Sequence, residues 1–124
     1  MGKGPDGRDD GTQLQRLRRL CLALPGAVEK LSHGEPTFFT PKPVFATFAN
    51  NHHGDGRIAA WVPAAPGVQE ALIEEAPGTY FQPPYVGPSG WVGVELAKAD
   101  NEQIGALLRE AYQVVTAKRA RDRK

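Results

Sequence analysis

The sequence contains one cysteine, Cys21, and no long apolar run that is free of charge, proline and glycine. A single cysteine cannot form an internal disulfide or a cysteine-rich zinc site. The uncharged stretches contain Pro and Gly, which argues against a membrane-spanning helix. The first eleven residues are polar and charged, so they lack the apolar core of a signal peptide. We therefore expect a cytoplasmic protein that does not contact membranes.

Recognisable catalytic motifs are also absent from the sequence. It contains no G-x-S-x-G elbow, Walker A loop, dinucleotide-binding fingerprint or H-E-x-x-H helix. Cys21 lies on the apolar stripe of the first predicted helix, where a small core residue is favoured over a nucleophile. We predict no catalytic residue and no cofactor, and we rank enzymatic activity third among the functional hypotheses.

Positive charge is concentrated at the two ends of the 124-residue chain, although the net charge is only +1. Residues 20–117 carry five Lys and Arg against ten carboxylates, a balance of −5. Residues 1–19 carry five against three, and residues 118–124 carry five against one. Because Lys and Arg supply most non-specific affinity for phosphates, a nucleic-acid surface would have to use the ends of the chain.

Hydrophobic spacing and turn residues predict one α+β domain over residues 12–117, between a flexible tail at 1–11 and a basic tail at 118–124. Thr12 and Gln15 form a capping-box pattern for a helix over 12–24, and Asp100 and Gln103 form another for the last helix. The other predicted elements are strands at 37–40, 44–49, 57–62 and 90–96 and a helix at 67–75, with a loop at 27–36. This order predicts a two-layer sandwich with helices packed on one face of an antiparallel sheet.

Three histidines raise the question of a metal site. His52 and His53 are adjacent, so in an extended strand they would point to opposite faces. A tight loop could direct both toward one ion, with Asp55 as a third ligand. Solvated histidines are the usual finding in loops rich in Gly and Asn, and we predict no metal site.

Aromatic residues near a proline pair suggest a binding pocket. Tyr80, Phe81, Tyr85 and Trp91 cluster around Pro83-Pro84. If this segment meets the loop that contains His33 and Glu35, then His33, Tyr85 and Trp91 would line a pocket for a small ligand or a protein segment. The alternative is that the aromatic residues complete the hydrophobic core.

A series of short motifs resembles the MmcQ/YjbR family over residues 14–119. The motifs are Leu24-Pro25-Gly26, Ser32-His33-Gly34-Glu35-Pro36-Thr37-Phe38, Phe45-Ala46-Thr47-Phe48, His52-His53-Gly54-Asp55-Gly56-Arg57, Pro83-Pro84-Tyr85-Val86-Gly87, Gly90-Trp91-Val92-Gly93-Val94 and Ala111-Tyr112. Their order and spacing make the resemblance specific. One departure is Pro41-Lys42-Pro43, where the family pattern has a glycine-containing turn.

The resemblance implies a CyaY-like (frataxin-like) fold that is described as a double-wing DNA-binding-like domain. It brings no established activity and no catalytic residues. Frataxin-like iron binding uses an acidic first helix, whereas the first helix here carries Arg16, Arg18 and Arg19. Iron binding is therefore disfavoured, and DNA becomes the leading partner hypothesis.

The DNA hypothesis assigns phosphate contacts to basic residues of both ends and of one hairpin. His52 and His53 would lie at a wing-like hairpin tip. The hypothesis requires the basic residues to converge on one side of the domain. They are Arg16, Arg19, Arg57, Lys118 and Arg119.

Overall fold

The structure, a computed structural model, describes residues 3–4 and 6–122, with side chains described up to residue 117. Within these residues lie three helices: α1 (Thr12–Leu22), α2 (Val68–Glu75) and α3 (Asn101–Asp122). The strands are β1 (Val28–Ser32), β2 (Glu35–Phe39), β3 (Val44–Asn50), β4 (Ile58–Val62), β5 (Tyr80–Phe81) and β6 (Val92–Glu95). They form one antiparallel sheet in the order β1-β2-β3-β4-β6-β5, which confirms the predicted α+β fold.

Side-chain alternation along β4 divides the apolar residues into two clusters. Ile58, Ala60 and Val62 belong to the main core, together with Leu17 and Cys21 of α1 and with residues of α3. The intervening side chains of a strand point to the opposite face of the sheet. We call this opposite face the far face; its buried cluster consists of Ala49, Ala59, Trp61 and Phe81.

A β-hairpin occupies most of the segment that was predicted to be a loop. Residues 28–32 form β1, which pairs with β2 in a register that places Ser32 opposite Glu35. The two residues between them, His33 and Gly34, both have positive φ angles, 53° and 81°. A two-residue hairpin turn of this kind matches the right-handed twist of the strands. The loop prediction for residues 27–36 was therefore wrong, because β1 is an edge strand without apolar alternation.

The start of α1 is stabilised differently from the predicted capping box. The N-cap residue is Gly11, and Thr12 is already helical. The carboxylate of Asp9 accepts hydrogen bonds from the backbone N–H groups of Gln13 at 3.1 Å and Leu14 at 3.0 Å. A carboxylate at this end also complements the helix dipole. The helix ends at Leu22, two residues before the predicted boundary.

The described residues of the 1–11 segment contact the loop between β3 and β4. The backbone N–H of Asp9 donates to Asn50 Oδ1 at 2.7 Å, and Lys3 Nζ donates to the Gly56 carbonyl at 2.6 Å. Lys3 also forms a β-bridge with Asp9. The sequence of residues 1–11 does not indicate these contacts, because their polar partners lie at the end of β3 and in the β3–β4 loop.

The last helix begins with the predicted capping box. Asp100 Oδ1 accepts the Gln103 N–H at 2.8 Å, and Gln103 Oε1 accepts the Asp100 N–H at 2.9 Å. The helix continues to Asp122, so its end lies about 15 Å beyond Tyr112 at 1.5 Å per residue. No helix among the described residues is long and apolar enough to cross a bilayer.

Candidate functional site

A cavity of about 780 Å³ lies on the far face of the sheet. Its size falls within the range of small-molecule sites, roughly 300–1,000 Å³. Three chain segments surround it: the β1–β2 turn, the β3–β4 loop and the segment between β5 and β6. The side chains that matter most for its chemistry are His33, Glu35, His52, Trp61, Tyr85 and Trp91. The predicted meeting of the His33 loop with the Tyr85 segment therefore occurs in the structure.

The segment between β5 and β6 is fixed over the cavity by hydrogen bonds to α2. The buried Gln69 side chain donates from Nε2 to the Gly87 carbonyl at 2.8 Å and to the Trp91 carbonyl at 2.5 Å. The Gly87 N–H in turn donates to the Pro83 carbonyl at 3.0 Å. A long side chain buried between two segments is a strong positional constraint, because its amide would lose its partners if either segment moved. These bonds hold Tyr85 and Trp91 at the cavity wall.

All the described non-glycine residues with positive φ belong to the three segments around the cavity. They are His33 (φ 53°), Asn51 (φ 55°), His53 (φ 50°) and Tyr85 (φ 67°). A left-handed backbone costs a residue with a side chain about 1–3 kcal/mol, and such residues cluster at binding and catalytic sites. The turn geometry accounts for His33, but a bulky residue such as Tyr85 is unusual in this conformation.

An aromatic cluster connects the β3–β4 loop to the floor of the cavity. The ring centroid of His52 lies 4.1 Å from that of His53, 4.9 Å from that of Trp61 and 5.8 Å from that of Tyr85. Each pair has edge-to-face geometry, which is favourable for aromatic rings. The Tyr85 hydroxyl also lies 3.3 Å from His53 Nε2, although the Tyr85 residue is 73% exposed. The cluster brings a loop histidine against a strand tryptophan at the cavity edge.

Two buried nitrogens of this cluster make no hydrogen bond. They are Trp61 Nε1 and His52 Nε2. Trp61 as a whole is 8% exposed. A buried polar atom without a partner costs about 1–3 kcal/mol, so proteins seldom retain one without a function. Both residues line the cavity.

The charged groups at the cavity are few and nearly balanced. Glu35 Oε2 accepts the backbone N–H of Asn50 at 3.3 Å, which holds its carboxylate near the β3–β4 loop. Arg8 contributes a guanidinium to the lining. No group of three or more His, Cys, Asp or Glu in the described part of the chain could hold a metal ion. The arrangement is an apolar, aromatic cavity with a small number of polar groups.

The basic residues assigned to phosphate contacts do not converge among the described residues. Arg16 is engaged in internal hydrogen bonds: Nη1 donates to the Leu96 carbonyl at 2.6 Å, Nη2 to the Ala99 carbonyl at 2.5 Å and Nε to Asn101 Oδ1 at 2.5 Å. Burial lowers the pKa of its guanidinium. Arg19, three residues along α1, is exposed.

The other predicted phosphate contacts lie elsewhere. The Arg57 guanidinium stacks over the ring of Phe81, 4.2 Å from its centroid, and therefore lies on the far face. Its Nε is 3.7 Å from Glu95 Oε2, which partly neutralises its charge. Lys118 and Arg119 belong to the last turns of α3, and their side chains lie outside the described ones. His52 and His53 lie in the loop that joins the antiparallel strands β3 and β4, and they belong to the aromatic cluster there.

Sequence reasoning missed Trp61, the residue at the centre of the site. It was assigned only to a strand. The available signal was a large aromatic residue on the face of β4 opposite Ile58, Ala60 and Val62. A tryptophan on this face predicts that other residues pack over its ring, because the ring is buried favourably only where neighbouring side chains exclude water from it.

Comparison with known proteins places the fold in a family. A model of the YjbR family matches residues 22–114. The chain belongs to the YjbR family. The matched residues of this YjbR-family chain include all the lining residues named above except Arg8, whereas Arg16, Arg19, Lys118 and Arg119 lie outside them.

A solved structure supports the same assignment at the level of the fold. The crystal structure of Deinococcus radiodurans protein DR2400, a DUF419 domain, superimposes with a TM-score of 0.69 and 22% sequence identity. The alignment covers 83% of the YjbR-family chain and 78% of DR2400. A search of curated proteins finds no significant match.

Proposed function

We propose that this YjbR-family chain is a binding domain for a small planar molecule, which it holds in the cavity on the far face. The observation that carries the proposal is the cavity of about 780 Å³, with Trp61, Trp91 and Tyr85 on its walls and two unpartnered nitrogens in its aromatic cluster. Apolar walls with a few convergent polar groups are typical of small-molecule sites. Aromatic rings supply large contact areas for a flat ligand at a small entropic cost.

Binding of DNA through the termini stays a prediction, and the geometry of the described residues favours the cavity. Phosphate binding requires several free cations on one surface. The Arg16 guanidinium donates hydrogen bonds to backbone carbonyls. The Arg57 guanidinium stacks on the Phe81 ring on the far face, away from α1. The exposed Arg19 of α1 and the C-terminal helix would have to supply the affinity. A titration with duplex DNA at two salt concentrations tests this, since phosphate binding must weaken steeply with salt.

The chain provides a convenient reporter for the cavity, because both of its tryptophans line it. In a ¹⁵N–¹H spectrum the two indole N–H signals are separate from the backbone signals. We expect 2-methylnaphthalene, a planar apolar probe, to shift both indole signals saturably. Signals of α3 residues should stay unchanged, because that helix packs on the opposite side of the sheet.

A matched pair of variants locates the binding site. Ala49 lies in the floor of the cavity and is 3% exposed, so the larger side chain of Ala49→Leu would project into the space for the probe. Ala106→Leu makes the same change on the exposed surface of α3. We expect Ala49→Leu to weaken probe binding at least about tenfold, since one lost contact worth 1.4 kcal/mol is tenfold, and Ala106→Leu to leave it unchanged. Equal binding by both variants, or no binding by the parent chain, would refute the proposal.

A further inference from the structure

The unpartnered nitrogens of the site indicate what the ligand must carry. An indole N–H is a donor only, so Trp61 Nε1 can be satisfied only by an acceptor atom. His52 Nε2 is an acceptor or a donor, depending on the tautomer and protonation of the ring. Both atoms are buried without a partner, whereas the neighbouring Tyr85 hydroxyl already has His53 within hydrogen-bond distance. Among the buried polar atoms of the aromatic cluster, Trp61 Nε1 and His52 Nε2 are therefore the two that lack a hydrogen-bond partner.

The two rings are in edge-to-face contact, so both unpartnered nitrogens belong to one part of the cavity wall. Their centroids lie 4.9 Å apart at an interplanar angle of 75°. Neither nitrogen is exposed to solvent, so a ligand reaches them only if one ring rotates. Trp61 is held in β4 by its register with Thr47 and Gly93. The His52 ring is the movable one, because it is only half-buried and lies on the β3–β4 loop beside the cavity.

We propose that the cavity recognises a planar aromatic molecule with an oxygen substituent on its ring, and that this oxygen accepts a hydrogen bond from Trp61 Nε1 and pairs with His52 Nε2. The proposal rests on the proposed function and adds the class of ligand. A hydroxyl can accept from the indole and donate to a neutral imidazole. A carboxylate can accept from both rings when His52 Nε2 carries a hydrogen. The hydroxyl and the carboxylate share an acceptor oxygen, which is bonded either to the aromatic ring itself or to the carbon atom attached to the ring.

A cationic ligand fits the lining less well. Glu35, the lining carboxylate, already accepts the Asn50 N–H, and Arg8 lines the same cavity with the opposite charge. A cation would also leave the Trp61 N–H without an acceptor, because ammonium groups only donate. The lining therefore selects for an acceptor and offers no excess negative charge.

Three probes with one ring system test the proposal by calorimetry: 2-naphthol, 2-naphthoate and 2-methylnaphthalene. One net hydrogen bond between neutral groups corresponds to about a fivefold change in affinity. We expect at least one oxygen-bearing probe to bind about fivefold or more tightly than 2-methylnaphthalene. A preference for 2-naphthol would identify a hydroxyl, and a preference for 2-naphthoate a carboxylate, and either supports the proposal.

The matched variants are Trp61→Phe and Trp91→Phe, which make the same change at two walls of one cavity. Of the two tryptophans, Trp61 is the one whose buried indole nitrogen lacks a partner. We expect Trp61→Phe to reduce the preference for the oxygen-bearing probe, because the contact with Trp61 Nε1 is lost, and Trp91→Phe to retain it in full. Thermal unfolding of both variants checks their folding. If Trp61→Phe does not fold, the parent chain still gives an answer: its Trp61 indole proton must lie further downfield with the oxygen-bearing probe bound than with 2-methylnaphthalene bound.

The outcomes separate this inference from the proposed function. Equal affinities for the three probes, or a preference that survives undiminished in Trp61→Phe, would overturn the inference and leave the cavity as a binding site for planar molecules. Absence of binding by all three probes would overturn both. Loss of the preference in Trp91→Phe but not in Trp61→Phe would also overturn the inference, because it would place the polar contact at the other tryptophan.

Discussion

Gly93 and Phe81 provide the sharpest test of packing on the far face. They form a cross-strand pair between β5 and β6. A Cβ atom at residue 93 would overlap Phe81 Cζ and lie 2.5 Å from Cε2 and 2.7 Å from Cε1. The Phe81 ring is enclosed from the other side by the Arg57 guanidinium, and the residue is 9% exposed. Gly93→Ala must therefore displace a ring that is already enclosed.

The cost follows from the ways in which the ring can respond. Overpacking a well-packed cluster costs about 1–3 kcal/mol, and tilting the ring outward would lose part of its burial and its contact with Arg57. Gly93 does not have a positive φ angle, so the backbone itself accepts alanine. Replacing glycine with alanine in a strand recovers about 0.5–1 kcal/mol of conformational entropy. We expect a net loss of about 1–2 kcal/mol in the free energy of unfolding.

Gly78→Ala is the matched control. Gly78 also lacks a positive φ angle, and a Cβ atom there would have nothing within 4 Å. Urea unfolding monitored by circular dichroism should place Gly78→Ala within about 0.5 kcal/mol of the parent chain. If Gly93→Ala proved as stable as Gly78→Ala, the Phe81 ring would be free to move, and the reasoning that the buried cluster of the far face is close-packed around this ring would be refuted.

Three further predictions concern the helix side of the sheet. Burial raises the pKa of the Cys21 thiol and leaves little thiolate, so a thiol reagent at pH 8 should not label the folded chain but should label it completely in denaturant. Asp9→Ala should lower the free energy of unfolding by about 1 kcal/mol and Thr12→Ala by much less, because Asp9 supplies the cap of α1. Arg16→Lys should lower it by about 1–2 kcal/mol in urea unfolding, because one ammonium group cannot reproduce the geometry of the four guanidinium contacts.

Local signals in the sequence were sufficient where the chain is organised by neighbouring residues. The α3 cap formed as predicted because Asp100 and Gln103 satisfy each other's backbone groups without help from the rest of the fold. The strands β3 and β4 formed as predicted because they are apolar and a loop of Asn and Gly joins them. Such elements depend on residues that are close in sequence.

Prediction failed where an element is defined by contacts outside its own residues. β1 contains exposed Lys30 and Leu31, so it has no apolar period, and only its pairing with β2 makes it a strand. Asp9 replaced Thr12 as the cap because the β3–β4 loop holds the segment before α1 in place through Asn50. Neither contact is visible in the spacing of nearby residues.

The site depends both on a local sequence pattern and on contacts with other segments of the chain. The alternation in β4 fixes Trp61 on the face opposite Ile58 and Ala60, and this could be predicted from the period of a strand. The helices bury the Ile58 face, so the burial of Trp61 has to come from loops. The β3–β4 loop and the segment around Tyr85 supply that cover with rings, which exclude water but offer no acceptor to the Trp61 N–H. Because aromatic loops cover the far face of the sheet, this face contains both the cavity and the unsatisfied N–H donor of Trp61. For this reason we propose that the YjbR-family domain binds its ligand on the far face.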